Sequence, residues 1–329
     1  MNIFINVLIL ILGFILLIKG ADIFVSGASN IAEKIGIPSV IVGLTIVSLG
    51  TSAPELAVSS ISAFQGNNGI AIGNILGSNI FNTLVVLGGT AIASPLIINK
   101  KIVKRDFLVN ILVVILLYVI SFGFVFNGTD GRISRIDGLI LLGLCIIYII
   151  FLIKSAIKNK IVYEVDKNSN NKNKEIKVGL NIIKIIIGVC GIVLGGNLVV
   201  NGATNIAYSI GMSEKLVGLT IVAVGTSLPE LVTSIVAALK GETEIAIGNV
   251  LGSNIFNILL ILGLSSTINP IMVSGNLYID LIFLIVVTFI IGVMIFFNRN
   301  KEFKKINRIE GTIIIIFYVT YLSYIIMRN

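Results

Sequence analysis

The chain contains a long internal repeat. Residues 20–88 recur at residues 195–263 without a gap, at a constant offset of 175, and 39 of the 69 aligned positions are identical. One conserved block runs from Gly50 to Glu55 and reads Gly-Thr-Ser-Ala-Pro-Glu; it returns from Gly225 to Glu230 with Leu in place of Ala. The chain is therefore built from two related halves.

Each copy places one glutamate, Glu55 or Glu230, in the middle of a long apolar stretch. A carboxylate at the centre of a membrane helix costs about 2.5–3.5 kcal/mol, so such residues usually serve a function. Two of them at matching positions in related halves predict a cation site shared between the halves.

Composition places these halves in a membrane. Hydrophobic residues make up 56% of the chain and charged residues 12%, about half the charged share of a soluble domain. The net charge of +8 resides mainly in loops between apolar segments, which favours lipid headgroups over nucleic acid as the partner. The first apolar segment has no basic leader or cleavage site, so we expect no cleavable signal peptide.

The chain has no histidine, and its two cysteines, Cys145 and Cys190, lie in separate apolar segments. This disfavours thiolate zinc sites, haem and histidine proton relays, and we expect no cofactor. No nucleophile and base pair is visible either, so an enzyme is not expected.

Apolar segments of about 20 residues predict an all-α membrane protein with ten transmembrane helices. The first half, 1–156, contains the repeat 39–94, and the second half, 179–329, contains the repeat 214–268. A polar linker, 157–178, joins them. The predicted spans are 3–34, 39–64, 69–94, 106–126, 136–156, 179–210, 214–239, 244–268, 276–298 and 309–327.

The distribution of lysine and arginine predicts the orientation. Of the 24 basic residues, 19 lie in or beside loops that follow odd-numbered spans, four lie on the opposite side, and one, Lys19, lies within a span. The rich side should be cytoplasmic, with both termini extracellular and the 157–178 loop cytoplasmic. Since each half has five spans, the second half should enter the membrane inverted relative to the first.

The block Gly50–Glu55 should interrupt its helix. Pro54 has no N–H, so the carbonyl of Gly50 loses its helical partner. Free carbonyls in a membrane are tolerated where they line a cavity or meet an ion. Together with the hydroxyls of Thr51 and Ser52 and the carboxylate of Glu55, they form an oxygen shell suited to Ca²⁺ or Na⁺.

The second block adds Ser78 and Asn82, which lie four residues apart and so on one helix face. Gly73 and Gly77 on the same helix predict close approach to a neighbouring helix. The second half supplies the matching candidate ligands Thr226, Ser227, Glu230, Ser253 and Asn257.

Other ionisable residues fit structural roles. Lys19 and Asp22 are three residues apart on a helix and are predicted to pair with each other. Four acidic residues at span ends are predicted to be solvated: Asp106, Asp137, Asp280 and Glu310.

At the two blocks the chain resembles the cation/calcium exchanger superfamily, and most closely its prokaryotic sodium/calcium exchangers. The resemblance implies a cluster of four ion positions at mid-membrane. Calcium would lie between Glu55 and Glu230, with the backbone carbonyls of Thr51 and Thr226. Sodium would use the same glutamates with Ser78, Ser253, the two threonine hydroxyls, and the carbonyls of Ser48 and Ala223. Sliding of the first and sixth spans would alternate access.

The function implied is an electrogenic antiporter that exports Ca²⁺ in exchange for Na⁺. We expect these two ions and membrane lipid as its partners, no nucleic acid, and the monomer as the working unit. Both Asn82 and Asn257 are amides, whereas some microbial relatives carry Asp at one of these positions. A third carboxylate that could handle protons is missing, and this favours sodium as the coupling ion. Proton-coupled or potassium-dependent exchange on the same scaffold remains open, and a cation channel is a more remote alternative.

Overall fold

In the computed structural model the chain is described over residues 3–35, 38–66, 68–123, 129–167, 178–209, 223–297 and 302–328. The helices of the first half are α1 (Ile3–Ile35), α2 (Ser39–Val42), α3 (Ser48–Thr51), α4 (Ala53–Phe64), α5 (Asn68–Phe81), α6 (Leu87–Ala93), α7 (Lys100–Phe122) and α8 (Arg135–Lys167). Those of the second half are α9 (Val178–Ser209), α10 (Ala223–Thr226), α11 (Leu228–Leu239), α12 (Thr243–Phe256), α13 (Gly263–Ile268), α14 (Leu277–Phe296) and α15 (Arg308–Arg328).

Within these ranges, eight helical segments are long and apolar enough to cross a membrane, and the pair Ser39–Thr51 and Ala53–Phe64, bent by 50°, makes a ninth. The one remaining predicted span, the seventh (214–239), is described only from Ala223, where α10 and α11 continue the same pattern. The protein is therefore a helical membrane protein. Helix α8 extends to Lys167, past the predicted end at residue 156, so the predicted linker begins as helix; residues 168–177 lie outside the described ranges.

The two long helices α1 and α9 pack against each other in opposite directions. Glycines occur every seven residues on both, at 13, 20 and 27 and at the repeat-related positions 188, 195 and 202. A Cβ added at Gly20 would lie 2.7 Å from the backbone nitrogen of Ile192, and one at Gly195 would lie 2.5 Å from that of Leu17. The two backbones are thus in direct contact, which a side chain at these positions would prevent.

Each repeat forms a hairpin of a broken helix and a buried helix. The hairpin α4–α5 turns at Gly66 and α11–α12 turns at Gly241, both with positive φ (80° and 83°), which only glycine adopts freely. Helix α12 lies at the centre of the protein, and every residue from Ile245 to Phe256 is buried. In the described ranges, three π-helical segments widen helices of the repeats: Gly43–Val47, Asn82–Val86 and Asn257–Leu262.

Four short strands depart from the predicted all-α fold. They are β1 (Leu96–Asn99), β2 (Gly131–Ile133), β3 (Ile271–Val273) and β4 (Phe303–Ile306). β1 pairs antiparallel with β4, and β2 pairs antiparallel with β3. Each pair joins one half to the other, and it satisfies backbone groups at the ends of the membrane helices, where they would otherwise be unpaired.

The predicted pairing of Lys19 with Asp22 is wrong. Asp22 Oδ1 instead lies 2.9 Å from Nζ of Lys240. The same ammonium donates to Ser26 Oγ at 2.6 Å, and Ser29 Oγ donates to Glu242. The turn of the second hairpin therefore packs against α1 through polar contacts. These contacts could not be predicted from the sequence, because the residues that make them are far apart along the chain.

The prediction that the span-end carboxylates are solvated is wrong for Asp106 and Asp280. Asp106 is buried and accepts hydrogen bonds from Arg105. Asp280 is 2% exposed and lies 2.9 Å from Nη2 of Arg328. Each carboxylate therefore has a guanidinium partner, as buried charges require.

We expect Asp280→Asn to lower the free energy of unfolding by about 1–3 kcal/mol, since hydrogen bonds to charged groups contribute that much. Unfolding in detergent micelles would measure it. Glu302→Gln is the control, because the Lys101–Glu302 pair is exposed on both sides and should contribute less than about 1 kcal/mol. Equal stability of the two variants would contradict a structural role for the Asp280–Arg328 pair.

Candidate ion-binding site

A break in the helix positions each buried glutamate. Ser52 (φ −81°, ψ 9°) and Ser227 (φ −94°, ψ 4°) lie outside helical geometry, and a new helix starts after each of them. Glu55 and Glu230 occupy the first turns of these new helices, α4 and α11, and neither has any exposed surface. The proline before each glutamate causes the break, and the positive end of the helix dipole favours a carboxylate in the first turn.

Reciprocal hydrogen bonds connect the two halves at these glutamates. Ser52 Oγ donates to Glu230 Oε1 at 2.8 Å, and Ser227 Oγ donates to Glu55 Oε1 at 2.9 Å. Since Ser52 is three residues before Glu55, the two carboxylates share one buried polar cluster, close enough for their negative charges to repel each other. The structure thus brings together the serine and the glutamate that the first block of each repeat predicts.

The serines of the second block join the same cluster. Ser52 Oγ lies 3.1 Å from Ser253 Oγ, and Ser227 Oγ lies 2.9 Å from Ser78 Oγ. Ser253 Oγ also donates to Glu230 Oε1 at 3.3 Å. All of these side chains are buried, so the cluster offers only oxygen atoms in a setting removed from solvent.

The predicted threonines donate hydrogen bonds to two asparagines, which were not among the predicted site residues. Thr51 Oγ1 donates to Asn249 Oδ1 at 3.1 Å, and Thr226 Oγ1 donates to Asn74 Oδ1 at 3.2 Å. The asparagine amides in turn donate to hydroxyls of their own hairpins: Asn74 to Ser59 at 3.0 Å and Asn249 to Ser234 at 2.9 Å. The available signal was that Asn74 and Asn249 recur in both copies, one helical turn before the predicted serines.

Several buried polar atoms of the predicted site residues have no hydrogen-bond partner among the described residues. These are Oε2 of both Glu55 and Glu230, and both polar atoms of the Asn82 and Asn257 amides. Asn82 and Asn257 each begin a π-helical segment, a distortion that is frequent at functional sites. Unpaired buried polar atoms are costly, so a group that binds them is expected at this position.

Ser48 and Ala223 are the first residues of α3 and α10, the short helices that precede the two breaks. Ser48 is buried, its hydroxyl donates to Leu44 O at 2.9 Å, and its carbonyl accepts from the Ser52 N–H at 2.9 Å. The assignment of their carbonyls as sodium ligands stays a prediction.

The close packing predicted for the glycines of the second block is present in the second copy. A Cβ added at Gly248 would lie 2.5 Å from Val40 O, and one at Gly252 would lie 2.5 Å from Ser48 Oγ. For Gly73 and Gly77 nothing among the described residues lies within 4 Å of such a Cβ. The repeat-related partners would be residues 215–223, nearly all outside the described ranges.

The chemistry of the cluster suits a hard cation. Two carboxylates balance the charge of one Ca²⁺, and the surrounding hydroxyl and amide oxygens are ligands that Ca²⁺ and Na⁺ accept. Within the described part of the chain, no three His, Cys, Asp or Glu side chains converge as a transition metal site requires.

Comparisons with known proteins agree with this chemistry. The chain matches the family described as sodium/calcium exchanger protein over residues 5–154 and 180–327. It is 35% identical to sodium/calcium exchanger MaX1 of Methanosarcina acetivorans, with 97% of each chain covered. It is 36% identical to inner membrane protein YrbG of Escherichia coli, over 80% of this chain and 79% of that one.

The fold is similar to that of a solved structure of the sodium-calcium exchanger NCX_Mj, soaked with Na⁺ and Ca²⁺. The TM-score is 0.80 at 33% identity, and the match covers 97% of this chain and 98% of the other. The repeat, the fold and these matches agree, and the chain belongs to the sodium/calcium exchanger protein family.

Proposed function

We propose that this protein is an electrogenic antiporter that exports Ca²⁺ in exchange for Na⁺. The observation that carries the proposal is the reciprocal pair of hydrogen bonds, Ser52 to Glu230 and Ser227 to Glu55, which gathers two carboxylates from related halves into one buried cluster. One oxygen of each carboxylate has no partner among the described residues and faces no solvent. A divalent cation between them would supply the missing partner.

Exchange follows from competition for the same oxygens. Ca²⁺ and Na⁺ would both use Glu55 and Glu230, so they cannot occupy the cluster together. Each ion then shifts the equilibrium between outward-open and inward-open states only through its different affinity for them. After Ca²⁺ is released, sodium that binds on the side of release would return the emptied carrier to its opposite state. Net charge crosses the membrane whenever more than two Na⁺ exchange for one Ca²⁺.

The proposed membrane arrangement has ten spans in two inverted halves, 1–156 and 179–329, joined by the cytoplasmic segment 157–178, with both termini extracellular and the monomer as the working unit. The reciprocal strand pairs β1–β4 and β2–β3 support it, since each half contributes the equivalent strand to the other. Reaction of single cysteines in the 157–178 segment with an impermeant reagent, in intact cells and in inverted vesicles, tests the orientation.

Proteoliposomes loaded with Ca²⁺ test the coupling ion. An imposed Na⁺ gradient should drive Ca²⁺ movement, and an imposed membrane potential should change its rate. Exchange driven equally by a pH gradient, or only with K⁺ present, would replace the proposal with a proton-coupled or potassium-dependent exchanger. Ca²⁺ flux that neither saturates nor shows counterflow would indicate a channel.

The unpaired amides of Asn82 and Asn257, candidate ligands from the second block, give a sharper test of the ion site. We expect Asn82→Ala to leave the melting temperature unchanged or higher, because it removes two buried polar atoms that have no partner among the described residues. The Na⁺ concentration for half-maximal exchange should rise by about tenfold, because the variant loses one ligand contact whose free energy is about that of one hydrogen bond.

Asn79→Ala is the matched control, because the Asn79 amide is equally buried and its nitrogen donates to Ile75 O at 2.8 Å within its own helix, so that only its oxygen lacks a partner among the described residues. It should leave the Na⁺ dependence unchanged. If Asn82→Ala lowered the melting temperature and left the Na⁺ dependence as it is, the amide would be structural.

A further inference from the structure

A groove lies between the start of α7 and the end of α14, and none of the predicted ion ligands lines it. It has a volume of about 560 Å³. Its mouth carries Lys100, Lys101 and Lys104, and its walls are apolar, including Leu108, Phe289 and Val293. These walls are exposed on the outer surface of the helix bundle, with Phe289 61% exposed.

The floor of the groove depends on one glycine. A Cβ added at Gly292 would lie 2.7 Å from Phe107 Cε1, so the absence of a side chain lets the Phe107 ring settle against α14. The Phe107 and Phe296 rings pack edge to face with centroids 5.5 Å apart. The result is a smooth aromatic surface below the lysines.

The charge at the mouth is positive. Lys101 pairs with Glu302 at 3.1 Å, and Lys100 Nζ donates to Phe296 O at 3.3 Å. Lys104 is exposed, and its ammonium has no ion-pair partner in the described part of the chain. The neighbouring acid, Asp106, is buried against Arg105 and does not offset this charge.

The dimensions match one leaflet of a bilayer. From Lys100 to Ile111, α7 rises about 16 Å, and half of a hydrocarbon core is about 15 Å. A molecule that fits must therefore be anionic at one end and apolar over the length of a fatty acyl chain. Basic pockets between membrane helices bind the headgroups of anionic lipids in this way.

We propose that this groove is a binding site for an anionic phospholipid, with the phosphate on Lys101 and Lys104 and an acyl chain along Leu108 and Val293. The lipid would cover the seam between α7 and α14. It would belong to the membrane leaflet on the side that carries most of the basic residues.

Native mass spectrometry of the purified protein tests the site, with phosphatidylglycerol and phosphatidylcholine of identical acyl chains as probes. We expect phosphatidylglycerol to bind at least about tenfold more tightly, the effect of two lysines near an anionic headgroup. In Lys101→Gln/Lys104→Gln the preference should fall to about twofold or less. Leu108→Trp, which fills the groove, should weaken both lipids while the lysines remain.

The matched control is Arg132→Gln/Lys154→Gln, which removes the same charge at two exposed positions outside the groove and should keep the preference. Free glycerol phosphate should fail to displace the lipid; displacement at equal concentration would show a simple anion site and overturn the proposal. Equal binding of the two lipids to the unmodified protein would overturn it also. A dimer lost on Leu108→Trp would show that a second copy covers the groove instead.

Discussion

Glu55→Gln and Glu230→Gln are each expected to abolish Ca²⁺ uptake driven by a Na⁺ gradient. Loss of one carboxylate leaves the divalent ion half neutralised in a buried site, where removing one partner of a charge pair costs about 3–5 kcal/mol. That corresponds to a loss of about 10²-fold or more in affinity. Uptake of radioactive calcium into proteoliposomes measures it.

Folding should survive both changes. The glutamine carbonyl can still accept the hydrogen bond from Ser227 or Ser52, and the repulsion between two buried carboxylates is removed. We therefore expect a melting temperature equal to or above that of the unmodified protein. Glu244→Gln, at a half-buried glutamate in the first turn of α12, is the control and should transport normally. Substantial uptake by either site variant would refute the site.

Gly195→Ala should lower the stability of the protein clearly, although it adds only one methyl group. Its methyl group would lie 2.5 Å from Leu17 N and 2.8 Å from Gly13 O, so α1 and α9 must separate. Overpacking of this kind costs about 1–3 kcal/mol. Since the resemblance implies that these two helices move during transport, uptake should fall as well.

Gly196→Ala makes the same chemical change one residue away. Its methyl group would lie 3.4 Å from Pro229 Cγ, an ordinary contact, so the variant should gain up to about 1 kcal/mol from helix propensity. Thermal unfolding of both variants in the same detergent compares them. Equal melting temperatures would show that the α1–α9 contact is looser than the backbone distances imply.

The sequence predicted the elements that depend on local pattern. The Ser52 and Ser227 breaks follow from the Gly-Thr-Ser-x-Pro-Glu block, and the glycine turns at Gly66 and Gly241 fall where the short connections between predicted spans lie. The cluster around Glu55 and Glu230 was predicted because two costly carboxylates recur at matching positions. The periodicity of seven in the glycines of α1 and α9 is also visible in the sequence, although it does not reveal which glycine faces which.

Contacts between distant segments were not predictable in this way. Asp22 meets Lys240 across 218 residues, and β1 meets β4 across about 200, and no local pattern encodes either pairing. Asp106 and Asp280 looked like solvated helix ends because residues far along the chain bury them: Tyr148 donates to Asp106 from 42 residues away, and Arg328 pairs with Asp280 from 48 residues away.

The two halves complement each other in three ways: through the exchanged strands, the reciprocal serine–glutamate hydrogen bonds and the facing glycines. This complementarity bears on how the chain evolved. A polypeptide containing one half alone would present an unpaired strand edge, a bare glycine stripe and a solitary buried carboxylate. In the inverted arrangement proposed above, a second copy of itself would complete all three. The present chain is thus what gene duplication and fusion of an antiparallel homodimer would produce, with each copy free thereafter to diverge, as Thr83 and its counterpart Ile258 have done.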